Sequence, residues 1–470
     1  MERNKIKEKE LEFLAKEYKK NPELFKQESF IDSLEFLEKF GIFIKDKKNF
    51  PNGYLKLWPQ DFVVEEITKD RELQTVEIDD FLDKKRDFSE EKSTIYATLV
   101  KCGLSTIEAI QELTNFLKGE KTRIQFAGIK DKDAITSQLI SIRELDINKF
   151  QKFNSPYLFL KNAYSGKGIV ETGNLIGNKF TILIRTDSFF QKEKILDKLK
   201  TIGKEGFYNF FYLQRFGTPR LINFYWGMFI LKGEYEKAIL SFLCSPGKRE
   251  NAYFRNLREE IKENFGNWEK IEKITEPFPL ILQNERKVIS YLKENPEDFI
   301  GALNQIPEQV KLWVFAFTSF LFNEKLSFYI KKGIEPPKAL PLILSNDKKD
   351  WLVYKKFLEK NRISPFSLKN LNPFPFIQRR KRIIQTKGNI IIEKREIVPE
   401  GVALSFILPK ASYATTFLAH LFNLVSGYPP KDISNKSIDT KEILGTGSFK
   451  PLIKRFKEIT YPKGENIFEK

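Results

Sequence analysis

The chain has 470 residues, 41% hydrophobic and 30% charged, which is the composition of a soluble globular protein long enough for two or three domains. Two cysteines and one histidine exclude a disulfide framework or a structural zinc site, and remove most serine, cysteine and zinc hydrolase mechanisms. A formal charge of +17 favours a polyanionic partner through counterion release, although solubilising surface lysines would give the same total.

Residues 1–45 carry apolar positions at helical spacing (Leu11, Leu14, then Phe30, Leu34, Leu37) and read as accessory helices. Their alternating charges contain no apolar core of the signal-peptide kind, so a cytoplasmic location is expected. Strands are predicted next, at DFVVEEIT with Phe62 and Val64 inward, and at STIYATLV from Ser93. Ser105-Thr106-Ile107-Glu108 has the form of a capping box that opens a helix with Ile107, Ile110, Leu113 and Leu117 on one face. RIQFAGI and LISIREL read as strands on either side of the loop KDKDAITSQ, and GNKFTILIRT alternates like a half-buried antiparallel strand. After about residue 225 the texture is helical. The longest apolar run, WVFAFTSFLF from Trp313, is about half the roughly 20 residues of a membrane span. FIQRRKRIIQTKGNIIIEKREIV resembles a hairpin turning at KGN, and GVALSFILP returns to strand. Strands and helices mixed without a βαβ rhythm predict an α+β fold with a mainly antiparallel sheet. The expected domains are 1–45, a discontinuous catalytic domain of 46–225 and 395–470, and an inserted helical domain of 226–394.

The loop Gly128-Ile129-Lys130-Asp131-Lys132-Asp133 is neither a P-loop nor a calcium loop. Its carboxylates, flanked by lysines, would be poor magnesium ligands, whereas a carboxylate among cations stays charged and serves as a nucleophile. A polar turn between strands is the plainer reading of the loop taken alone. YNFFYLQRFGTPR, from Tyr208, interleaves aromatic rings with arginine, as unstacked bases and phosphates require, and equally as a core strand with a basic end would. His420, in TTFLAHLFNLV, reads as a packed histidine. Arg379, Arg380, Lys381 and Arg382 read as a solvated strand end before a phosphate clamp, and GTGSF from Gly445 carries little signal.

In order along the chain, these stretches resemble the TruD family of tRNA pseudouridine synthases. GYLKLWPQDFVVEEI is similar to the family's opening strand, FAGIKDKDAITSQ to its G-x-K-D-x-x-A-x-T-x-Q loop, GNKFTILIR to its G-N-x-F strand, YNFFYLQRFG to its N-Y-F-x-x-Q-R-F-G motif, and LSFILPKASYATTFL to its F-x-L-P-x-x-S-Y-A-T segment. The resemblance implies isomerisation of uridine to pseudouridine at position 13 of tRNA, with Asp131 as the catalytic nucleophile and no cofactor or metal. It implies Asn209 and Phe211 as the residues that orient and stack the base, Lys56 as a basic residue near the site, and Lys130, Gln214 and Arg215 as further substrate-binding positions. Asp133, Thr136 and Gln138 would support the loop, with Gln138 bonding backbone. Departures are Asp133, where relatives often have a basic residue or histidine, and Phe210, where tyrosine is common. A tRNA partner, no membrane and a monomer are expected. The competing readings are a relative acting on pre-tRNA position 35 or mRNA, a non-catalytic RNA-binding protein or chaperone, and a magnesium-dependent nuclease.

Overall fold

A computed structural model describes residues 2–86, 94–117, 123–143, 150–187 and 192–464. Ser93, Glu144 and Leu145, read as strand ends, lie outside the described residues. The fold is α+β, and the chain divides into two compact units. One comprises 47–208 and 388–465, the other 1–46, 209–387 and 466–470. These boundaries do not fall where the sequence texture changes: residues 1–46 share a unit with the helical segment, and so does Asn209.

The unit of 47–208 and 388–465 is built on one sheet. Its strands are β1 (Asn52–Tyr54), β2 (Phe62–Thr68), β3 (Thr94–Cys102), β4 (Arg123–Phe126), β5 (Ile135–Arg143), β6 (Leu158–Gly166), β7 (Leu175–Arg185), β8 (Ile391–Val398), β9 (Gly401–Pro409) and β10 (Asn423–Gly427). The order is β10-β1-β7-β2-β5-β3-β6, with β9 also on β7, β8 on β9, and β4 on β5. Only β10–β1 and β2–β5 are parallel among these pairs, the latter in a register that sets Val63 against Ile135. Helix α1 (Thr106–Leu117) covers one face: Ala109 and Leu113 pack on Ile95, Ala97, Leu99, Ile140 and Ile142. Phe449, Leu452 and Phe456 cover the other, against Val63, Val100, Cys102 and Ile135.

Two expectations change here. Neither Phe62–Thr68 nor the run from Phe180 alternates between buried and exposed positions, because structure packs on both faces of the sheet. The expected hairpin at 376–398 does not form. Arg382–Gln385 pairs with Ala339–Leu342 inside one unit, whereas Ile391–Val398 pairs with Gly401–Pro409 in the other. Strand propensity was present in both arms, but their partners come from elsewhere in the chain.

In the unit of 1–46 and 209–387, helix α2 (Pro307–Lys331) is buried along most of its length. It meets the helix Asn223–Lys232 closely: a Cβ on Gly227 would stand 2.0 Å from the Trp313 carbonyl oxygen, so only glycine permits this approach. Trp226 and Trp313 stack edge to face at 4.7 Å beside it. No helix among the described residues is long and apolar enough to cross a membrane.

Candidate catalytic loop

The capping box forms as read. Ser105 Oγ accepts from the Glu108 N–H at 3.2 Å, and Glu108 Oε2 accepts from the Ser105 N–H at 2.8 Å, which fixes the start of α1 beside the β4–β5 loop. The Thr106 hydroxyl then ties helix to loop. Its oxygen accepts from the Lys130 N–H at 2.9 Å and donates to Gln138 Oε1 at 3.1 Å, while Gln138 Nε2 donates to the Gly128 carbonyl at 3.1 Å. Gln138 therefore bonds backbone, as its place in the loop motif implied. Thr136 sits on β5 with its buried hydroxyl lacking a hydrogen-bond partner, so its part in the loop is packing.

Each charge of the loop has its own partner from another segment. Asp131, half exposed, receives the Lys56 ammonium at 3.0 Å on Oδ2. Lys132 reaches the capping Glu108 at 3.1 Å, and Lys463 reaches Asp133 at 3.1 Å. Lys130, next to Asp131 in sequence, turns away: its buried ammonium donates to Glu66 Oε2 at 2.6 Å and to Asn178 Oδ1 at 2.9 Å. This arrangement explains the G-N pair of GNKF. Asn178 receives Lys130, and a Cβ on Gly177 would stand 2.2 Å from the Leu408 carbonyl oxygen of β9.

Lys56 is held by two further features. Its backbone is left-handed (φ 60°), a strained conformation for a residue with a side chain, and its ammonium lies 4.4 Å over the Phe62 ring. The Lys56 backbone and the Phe62 ring thus position the ammonium that meets Asp131.

Sequence reasoning missed Lys101. It ends the apolar strand TIYATLVKC fully buried, and its Nζ donates to the Leu104 carbonyl and to the Asp131 carbonyl, both at 2.7 Å. Burial pushes the ammonium down to about 8, against the pull of the Asp131 charge, with Lys130 and Lys56 adding repulsion. A lysine at a position where the strand pattern demands an apolar residue was the available signal. Desolvation raises the Asp133 carboxyl, but Lys463, Lys56 and Lys132 outweigh it and hold the group below the ordinary carboxylate range. Burial pushes the Cys102 thiol up to about 12, which makes it a poor nucleophile. His420 is half-buried, its Nδ1 2.8 Å from the Thr416 carbonyl, and desolvation lowers it to about 4.

The remaining site residues lie in the other unit. Asn209 is buried, its N–H donating to the Thr386 carbonyl at 2.9 Å and its Nδ2 to the Gln385 carbonyl at 3.2 Å, while its Oδ1 has no hydrogen-bond partner. Phe211 is 6% exposed, with its N–H on Asn323 Oδ1 at 2.9 Å, its ring edge to face with Phe322, and the Arg215 guanidinium 5.2 Å over it. Arg215 is half-buried and Gln214 exposed, both in the turn Leu213–Phe216.

Comparison with known proteins identifies the family. The family model TruD, tRNA pseudouridine synthase D, matches residues 42–349, more than half of the chain. A Methanosarcina barkeri protein named "Probable tRNA pseudouridine synthase D" is 32% identical over 293 residues, 61% of this chain and 62% of its own length. The match therefore spans less than two thirds of that relative. The tRNA pseudouridine synthase D of Aquifex aeolicus is 26% identical over 405 residues, 78% of this chain and 97% of that protein. The crystal structure of the Methanosarcina mazei TruD protein shares the fold, with a TM-score of 0.59 at 24% identity, over 82% of this chain and 97% of that one. Because the family model matches more than half of the chain, the chain belongs to the TruD family.

Proposed function

We propose that the protein is a tRNA pseudouridine synthase of the cytoplasm that isomerises uridine 13 by means of Asp131, without metal or cofactor. The observation that carries the reading is Asp131 itself: a half-exposed carboxylate, aimed by Lys56, on a loop whose backbone is pinned by Lys101, Thr106 and Gln138.

The reaction breaks the bond from uracil N1 to the ribose anomeric carbon and forms one from C5 to that carbon. C5 gives up its proton and N1 gains one, so atoms and electrons balance without an oxidant. A carboxylate suffices for attack on the base, attack on the sugar, or removal of a sugar proton. The base must first leave the RNA stack, at a cost of a few kcal/mol. Phe211 would hold it by stacking. Asn209, whose amide is oriented by its Nδ2 bond, has a buried, unpartnered acceptor oxygen, the kind of group that the N3–H of an inserted uracil would bond.

The test incubates an unmodified tRNA transcript with the protein and maps pseudouridine by carbodiimide adducts that stop reverse transcription. A new stop reporting position 13 is expected. A stop elsewhere would move the target, and none at all would remove the activity.

A further inference from the structure

The four basic residues Arg379–Arg382 divide by their partners. Arg379 Nη1 donates to Asn372 Oδ1 at 2.9 Å and to the Leu368 carbonyl at 3.3 Å, and Lys381 pairs with Asp347 at 2.8 Å and Asp350 at 3.2 Å. Arg380 and Arg382 have no carboxylate at ion-pair distance among the described residues. Arg382 is half-buried, its guanidinium 4.4 Å over the Phe315 ring, and its buried Nε lacks a hydrogen-bond partner. Desolvation lowers it from the usual arginine value, and Arg380 and Arg215 add repulsion, so three guanidinium groups share one neighbourhood.

That neighbourhood adjoins the nucleotide-handling residues of the same unit. The strand Arg382–Gln385 leads directly to the carbonyls of Gln385 and Thr386 that hold Asn209, roughly 10 Å further along the chain at strand rise. Arg215 lies over Phe211. Arg380 and Arg382, which repel one another and have no carboxylate at ion-pair distance among the described residues, gain most from an anion, and the planar fork of each matches phosphate oxygens.

We propose that Arg380, Arg382 and Arg215 form a binding site for a phosphodiester of the RNA backbone, beside the base held at Asn209 and Phe211. This rests on the reading of the chain as an RNA-modifying enzyme. Cation–π contact with Phe315 sets Arg382 in place, and Arg380, two residues before it, is exposed to solvent.

The test measures binding of an unmodified tRNA transcript to the full chain from about 50 to about 300 mM salt, for wild type, Arg380→Gln, Arg382→Gln and Arg382→Lys. Each glutamine variant should bind about three- to tenfold more weakly, with the slope of log affinity against log salt shallower by roughly 0.7 to 0.9. Arg382→Lys should keep the wild-type slope. Unchanged slopes in both glutamine variants, or equal losses in Arg382→Gln and Arg382→Lys with the slope intact, would overturn the site. Perturbation of the Arg382 Nε resonance by inorganic phosphate, with unchanged tRNA slopes, would assign it to free phosphate and overturn it too. Should Arg382→Gln misfold, Arg380→Gln carries the test on the surface. Pseudouridine formation by the same wild-type preparation separates the two proposals: shallower slopes without product keep the phosphate site and remove the isomerase, and product with unchanged slopes does the reverse.

Discussion

Lys101 holds Asp131 by the backbone rather than by the carboxylate: its Nζ donates to the Asp131 carbonyl at 2.7 Å and to the Leu104 carbonyl at the same distance. The charged end of Asp131 is left to Lys56, on a different segment. One lysine thus fixes where the loop lies and another where the carboxylate points.

Replacing Lys101 by methionine should unpin the loop and lower turnover by about one to two decades, since misplacement of a reacting group by 1 Å costs on that order. Its pH signature follows from the lowered ammonium. The folded group loses its proton near 8, the unfolded one near 10.5, so between these values the unfolded chain binds more protons and wild-type stability rises with pH. That contribution is lost as pH falls through about 8. The difference in melting temperature, wild type minus Lys101→Met, should therefore grow across this window; a flat difference would contradict the buried ammonium.

Glu66→Gln should destabilise the sheet unit by about 3 to 5 kcal/mol, because it strands the Lys130 ammonium, 5% exposed, beside a neutral amide. Urea unfolding followed by tryptophan fluorescence measures it. A change below about 1 kcal/mol would mean that water reaches Lys130.

Phe211→Ala should reduce turnover at low tRNA concentration by about one to two decades if a base stacks there, as one base–aromatic contact is worth roughly 1 to 3 kcal/mol. Its packing on Phe322 makes a folding control necessary, read from the melting temperature. Turnover within twofold of wild type would remove Phe211 from base binding.

Local signals were legible and remote ones were not. The capping box of Ser105–Glu108 and the Gln138 bond to backbone are specified by residues within a dozen positions of one another. The partners of Lys130 and Asp133 come from residues 66, 178 and 463, far along the chain, and no periodicity announces them. Strand texture around residues 382 and 391 was correct, but pairing is a tertiary choice, and the two strands joined different units. Lys101 escaped because a charge in an apolar run reads as a strand end, whereas here two carbonyls satisfy it inside.

Release of tritium from uridine labelled at C5 in tRNA, compared between wild type and Asp131→Asn, tests the role of Asp131 most directly. The substitution keeps shape and removes the carboxylate, so the account predicts no release above background with tRNA affinity within a few fold of wild type. Release by Asp131→Asn at a rate near that of wild type would contradict it.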